Sequence, residues 1–167
     1  MKTKPLTFLL SLTFLFLFSG SSVVFGGDFQ DGVDAYIKQD YKTAHRLWLP
    51  LAEQGDAKAQ NILGVMYETG QGVPQDYKEA VRLYRLSAEQ GVAEAQLFLG
   101  VMYYKGRGVP QDYQEAVKWY RLSAEQGNAE AQLNLGFMYE TGQGVPQDRL
   151  LAHMWFNIAG SSGDEDA

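Results

Sequence analysis

The 167-residue chain contains no cysteine. That excludes disulfide staples, a thiolate metal site and a cysteine nucleophile together. Histidine is nearly absent too, with only His45 and His153. Positive charge is scarce: 14 Lys and Arg stand against 20 Asp and Glu, for a formal net charge of −6. Loss of the first 26 residues would remove Lys2 and Lys4 but no acid, and leave −8. An acidic surface repels phosphate backbones and anionic lipids, which disfavours nucleic acid as a partner. No apolar run approaches the ~20 residues that a membrane-spanning helix needs.

What is present begins with a leader-like segment. Lys2 and Lys4 precede a short apolar run, Leu6 to Phe18, and Val24-Phe25-Gly26 follows with compact residues. Charge, apolar run and small-residue cut in that order form the secretory pattern. The expectation is a signal peptide over residues 1–26, cleavage before Gly27, and no membrane contact after its removal.

The rest is repetition. AEAQLFLGVMYYKGRGVPQDYQEAVKWYRLSAEQG starts at Ala93 and has copies starting at Ala57 and Ala129, each 36 residues away without insertion. Gly64, Gly100 and Gly136 mark the register, as do Asp76, Asp112 and Asp148. A fixed period of this size means stacked supersecondary units. Residues 56–160 hold three full units. Residues 27–55 form a degenerate first one, in which Asp40, Tyr41, Ala44 and Trp48 match but the Gly-rich loop is missing. Residues 161–167 are a short acidic tail.

Each full unit reads as two helices. In the first, Ala59, Leu63, Met66 and Tyr67 make one helical stripe. Gly64 interrupts it at a cost of roughly 1 kcal/mol relative to Ala, which points to a close-packed neighbour. Gly70-Gln71-Gly72-Val73-Pro74 breaks the helix. Asp76 restarts it as an N-cap, with Glu79 placed for a capping box. Tyr77, Ala80, Val81, Tyr84 and Ala88 form the inner stripe of the second helix, with Arg82, Arg85 and Glu89 outward. Links this short require antiparallel stacking.

The pattern A-x-x-x-L-G-x-x-Y, G-x-G-V-x-x-D-Y-x-x-A and A-E-Q-G resembles the Sel-one-like repeat, a relative of the tetratricopeptide repeat, over Gly27 to Gly160. The resemblance implies an all-α fold, a right-handed α/α superhelical solenoid of helix–turn–helix repeats whose first helices line a concave face. It also implies protein–protein interaction, commonly in bacterial envelope assembly, signalling or host contact, and so a periplasmic or secreted protein. The last unit departs from the pattern at Arg149, His153 and Gly160. Its end, around Trp155 and Ile158, is expected to lack a cover and to permit self-association or joining to another solenoid.

Catalytic chemistry finds little support. The stack keeps His45 and His153 apart, so no metal or catalytic pair is expected. Gly70-x-Gly72 lacks the residues of a dinucleotide or phosphate loop, and no cofactor is expected. Some exported relatives are described as hydrolases of β-lactam-like or cell-wall substrates. Beyond the leader, however, neither Ser-x-x-Lys nor Gly-x-Ser-x-Gly occurs.

Function should lie where units differ on the first helix. By the resemblance, the concave face takes Lys58, Asn61, Ile62, Val65 and Glu68, then Glu94, Leu97, Phe98, Val101 and Tyr104, then Glu130, Leu133, Asn134, Phe137 and Glu140. Ile62, Val65, Phe98, Val101, Tyr104 and Phe137 are the expected partner-binding residues, an apolar strip bordered by acids that suits an extended or helical peptide with basic flanks. Phe98 and Tyr104 are expected to carry binding without carrying stability.

Overall fold

A computed structural model describes residues 25–162. Among them are eight α-helices and no strand. α1 (Phe25–Ile37) and α2 (Tyr41–Glu53) form the first unit, and α3 (Ala57–Thr69) and α4 (Tyr77–Glu89) the second. α5 (Ala93–Lys105) and α6 (Tyr113–Glu125) form the third, and α7 (Ala129–Thr141) and α8 (Arg149–Ser162) the fourth. Each helix packs chiefly on its neighbours in sequence, the arrangement of a helical-repeat solenoid. The expected leader lies outside the described residues except for its last two, and the acidic tail lies outside beyond Ser162. None of the described helices is long and apolar enough to cross a membrane.

The helix ends follow from single residues. Asp56 caps α3 by accepting the Ala59 N–H at 2.8 Å. Gly70 ends the same helix at φ 73°, the left-handed C′ conformation that glycine adopts without a Cβ penalty. Asp76 accepts from the N–H groups of Lys78 and Glu79 at 2.9 and 3.1 Å. The expected reciprocal bond from Glu79 does not form. The Asp76 N–H donates to the Tyr67 carbonyl instead, and Glu79 pairs with Arg82. Asp112 repeats this, donating to Tyr103, with Glu115 paired to Lys118. Asp148 caps the Leu150 and Leu151 N–H groups just as well. Leu can therefore replace the Glu in the last unit without loss of the cap.

Within each unit the mid-helix glycine is a contact point. A Cβ on Gly64 would lie 2.6 Å from the Tyr84 ring, one on Gly100 2.7 Å from Tyr120, and one on Gly136 2.6 Å from Phe156. Gly32 meets Trp48 in the same way, so the first helix of the first unit aligns with α3 at a 32-residue offset while its second helix keeps the offset of 36. These glycines let the two helices of a unit close on a large aromatic.

Between units, polar groups repeat with the same period. Gln60 Nε2 donates to the Ala52 carbonyl across the junction, and Gln96 and Gln132 do likewise to Ala88 and Ala124. Within a unit, the Ser87 and Ser123 hydroxyls donate to the Ala57 and Ala93 carbonyls that open α3 and α5. Arg85 is not simply outward. It is half-buried, lies over the Tyr103 ring of the next unit and donates to its hydroxyl. Trp155 is not part of an uncovered end either: it packs back on the core of the preceding unit, as Trp119 and Leu83 do one and two units earlier.

Candidate functional site

Successive first helices α1, α3, α5 and α7 are joined through the second helices packed between them, and their side chains leave depressions at the junctions between units. At the first junction, Val33 and Tyr36 of α1 face Ile62 and Val65 of α3 over Trp48. They enclose about 270 Å³ lined by apolar side chains. At the third junction, Val101 and Tyr104 of α5 face Asn134 and Phe137 of α7 over Tyr120, around a cavity of about 330 Å³. In the repeat register the two sets correspond residue for residue. Val33 matches Val101, Tyr36 matches Tyr104, Trp48 matches Tyr120, Ile62 matches Asn134, and Val65 matches Phe137. Even the support is repeated, since Tyr36 leans on Tyr41 at 5.0 Å and Tyr104 on Tyr113 at 5.4 Å between ring centroids.

The second junction is different. Its residues are Val65, Glu68, Tyr84, Phe98 and Val101. Phe98 lies on the Tyr84 ring with centroids 5.3 Å apart, and the Tyr84 hydroxyl donates to Glu68 Oε2 at 2.7 Å. An aromatic from above and a carboxylate from the side occupy the place that is open at the other two junctions.

The floors are buried: Trp48, Tyr84 and Tyr120 are each at most 3% exposed. Burial pushes the Tyr84 hydroxyl well above the usual phenol range, with the Glu68 charge and hydrogen bond adding to it. Burial also raises Tyr120, and its neighbours Tyr104 and Glu130 add to the shift. Both phenols stay protonated, and Tyr84 acts as a neutral donor to Glu68. Charges border the depressions, with Glu130 and Lys105 at the third junction. A further hollow of about 440 Å³ lies between Lys58, Asn61 and Ile62 of α3 and Val92 and Glu94 at the start of α5, with Phe29 of α1 beside it, so the second junction is open at that end.

Five of the six residues expected to contact a partner, Ile62, Val65, Val101, Tyr104 and Phe137, line open depressions. Phe98 does not. It is half-buried between two core clusters, so its role in stability cannot be separated from its surface position. Tyr104 also packs against a core cluster and corrects the same expectation. Leu97 is 3% exposed and belongs to the core, whereas its counterpart Leu133 is 49% exposed. The sequence reading missed Val33 and Tyr36. The signal was present, because aligning Gly32 with Gly64 puts Tyr36 at the position of Tyr104.

The two histidines lie in separate surroundings. His45 is half-buried, its Nε2 is 3.3 Å from the Tyr67 hydroxyl, and burial lowers its pKa. His153 is exposed on α8. Among the described residues, no three His, Asp or Glu side chains gather in a metal-binding group.

A Sel1 repeat profile matches residues 29–56, 57–92, 93–128 and 129–164. Among solved structures the chain is similar to a protective antigen of uropathogenic Escherichia coli strains that displays an SLR fold, with 39% identity and a TM-score of 0.80 over 83% of this chain and 31% of that one. It is similar to a Sel1 repeat protein from Oxalobacter formigenes, with 35% identity and a TM-score of 0.77 over 83% of this chain and 57% of that one. Helicobacter pylori cysteine rich protein B shares the fold at 18% identity, with a TM-score of 0.57 over 88% of this chain and 96% of that one. The chain thus spans about a third of the first of these proteins and somewhat over half of the second. No curated protein matches it.

Proposed function

This chain belongs to the Sel1 repeat family, and from that premise we propose that it is an exported, non-catalytic scaffold that holds a protein partner on the face lined by its first helices. Sel1 repeats are in general protein–protein interaction scaffolds. The observation that carries the proposal is the pair of corresponding depressions floored by Trp48 and Tyr120. Repeats spend most positions on holding the stack. Exposed apolar side chains such as Phe137, 56% exposed, do nothing for it there. Export to the periplasm or beyond rests on the leader-like Met1 to Gly26.

A photo-crosslinking side chain placed at Phe137, with a second at Arg82 on α4 as control, tests the face. Native-envelope crosslinks through position 137 and none through 82 are expected. Equal labelling from both sites would end the proposal. N-terminal sequencing of protein from the periplasmic or secreted fraction should begin near Gly27, and full-length protein found only in the cytoplasm would refute export.

A second reading has its own support on α8. Where α4 carries Lys78, Glu79 and Arg82, and α6 carries Gln114, Glu115 and Lys118, α8 carries Leu150, Leu151 and Met154. Leu150 is 83% exposed and Met154 42%. This apolar replacement of a charged outer face favours joining to a second solenoid. Concentration-dependent sedimentation that disappears with Leu150→Gln and Met154→Lys would support it, and a monomer at all concentrations would not.

A further inference from the structure

The aromatic floors of the three junctions differ in what their polar atoms bond. Trp48 Nε1 donates to the Phe29 carbonyl at 3.1 Å, and the Tyr84 hydroxyl donates to Glu68 at 2.7 Å. Tyr120 is only 3% exposed, at the base of a cavity of about 330 Å³, and its hydroxyl has no hydrogen-bond partner among the described residues. A buried phenol in that state has lost water without gaining an acceptor. An acceptor brought by a ligand completes it.

Comparison of the units identifies the acceptor. First helices of the second and fourth units end in Glu68-Thr69 and Glu140-Thr141, whereas that of the third ends in Tyr104-Lys105. A negative helix end has become a positive one. Thr69 and Thr141 bond back to their own helices at the Val65 and Phe137 carbonyls. Lys105 instead lines the depression and has no ion pair among the described residues. The carboxylate that Tyr84 finds in its own unit is thus missing beside Tyr120, and a cation stands at the same end. An anionic oxygen suits this place, because hydrogen bonds to charged groups are the stronger ones.

The other part of the ligand follows from the same comparison. Over Tyr84 lies the ring of Phe98, with centroids 5.3 Å apart. The corresponding residue over Tyr120 is Asn134, which leaves the space beside Val101 and Phe137 open. Glu130 also borders this depression, but it opens α7 while Lys105 closes α5. Both helices run antiparallel to α6, so at a rise of about 1.5 Å per residue the two charges stand about 16 Å apart along the helix axes. An anion at the Lys105 end is therefore well separated from Glu130.

We infer that the depression over Tyr120 is a binding site for a small aromatic carboxylic acid. Its carboxylate accepts from the Tyr120 hydroxyl beside Lys105, as Glu68 accepts from Tyr84. Its ring lies on the Tyr120 ring, as Phe98 lies on Tyr84. The cavity, about 330 Å³, is at the lower edge of the ~300–1,000 Å³ of small-molecule sites and has room for one ring and a short chain. The depression over Trp48 has an apolar lining and a floor whose N–H is already bonded, so it lacks the donor for this ligand. This site goes beyond the scaffold reading and does not depend on it.

The test is an NMR titration of the purified, nitrogen-15-labelled protein with phenylacetate, 3-phenylpropionate and 4-phenylbutyrate. Saturable amide shifts in α5, α6 and α7 are expected, with a Kd on the order of 0.1–1 mM for the best of the three, ordinary for about a dozen non-hydrogen atoms. The corresponding neutral amide, and phenethylamine as the cation, should bind about tenfold more weakly or not at all. Tyr120→Phe keeps the ring and removes the donor. It should weaken the acid about tenfold while leaving the melting temperature unchanged or raised, since the hydroxyl bonds nothing in the free protein. Tyr84→Phe should do the reverse, lowering the melting temperature and sparing acid binding. Lys105→Thr, which installs the residue of the neighbouring units, should weaken the acid several-fold. Tyr104→Glu combined with Asn134→Phe rebuilds the arrangement over Tyr84 and should abolish binding, with far-UV circular dichroism confirming the fold.

No saturable shift up to about 10 mM acid, well above the expected range, would overturn the inference. So would equal or tighter binding of the amide or the amine, or acid binding that Tyr120→Phe and the double variant both leave unchanged. The scaffold reading is decided separately, by the crosslinks through position 137.

Discussion

The ring of Phe98 lies against that of Tyr84, on the preceding unit's second helix, with centroids 5.3 Å apart. Phe98 therefore joins the second and third units as well as shaping the surface. Phe98→Ala should cost about 2–3 kcal/mol, below the 3–5 kcal/mol of a fully buried Phe because the side chain is only half-buried. Urea unfolding measures it. An unchanged midpoint would mean that the ring contributes nothing to the junction.

Tyr120 is the floor of an open depression and is 3% exposed. Tyr120→Ala should cost roughly 3–5 kcal/mol by leaving a cavity between α5 and α6. Gly100→Ala should destabilise as well, by about 1–3 kcal/mol. Its new methyl would sit 2.7 Å from the Tyr120 ring, which outweighs the roughly 1 kcal/mol of helix propensity gained. Combining the two changes should cost less than their sum, because removing the ring removes the clash. Strict additivity in a double-mutant cycle would contradict the contact.

Asp112 and Glu115 separate the cap from the box. Asp112→Ala removes the acceptor for the N–H groups of Gln114 and Glu115 and should cost about 1 kcal/mol. Glu115→Ala should change stability by no more than about 0.5 kcal/mol, since it makes only an exposed pair with Lys118 at 3.4 Å. Comparable losses from both would show that a reciprocal box forms in solution.

His45 gives stability a pH dependence. Burial depresses its folded-state pKa below 6.5, so the unfolded chain takes up the proton first as pH falls. The stability associated with neutral His45 is present above pH 6.5 and lost as pH drops below it toward the depressed value. His45→Gln should flatten the fall in melting temperature between pH 7.5 and 5.5. The same change at exposed His153 should leave it unaltered, and identical profiles for wild type and His45→Gln would refute the assignment.

Periodicity by itself determined the eight helices, their ends and the repeat register. Local chemistry suffices for these: Asp56, Asp76 and Asp112 cap, Gly70 turns left-handed, and Leu63 and Met66 mark the inner stripe. The first-helix face was legible from the positions that vary, including Val101, Tyr104 and Phe137. Tertiary structure alone decided which variable positions are open. Phe98, Asn134 and Ile62 are one position in three units, and a sequence shows only that they differ. Whether the position plugs a junction or leaves it open depends on how far a side chain reaches the aromatic of the preceding second helix. Phe98 reaches the Tyr84 ring, while Asn134 leaves a cavity above Tyr120. The same holds for Glu79. Its spacing suited a box, but the donor it would have needed, the Asp76 N–H, is held by the Tyr67 carbonyl across the loop.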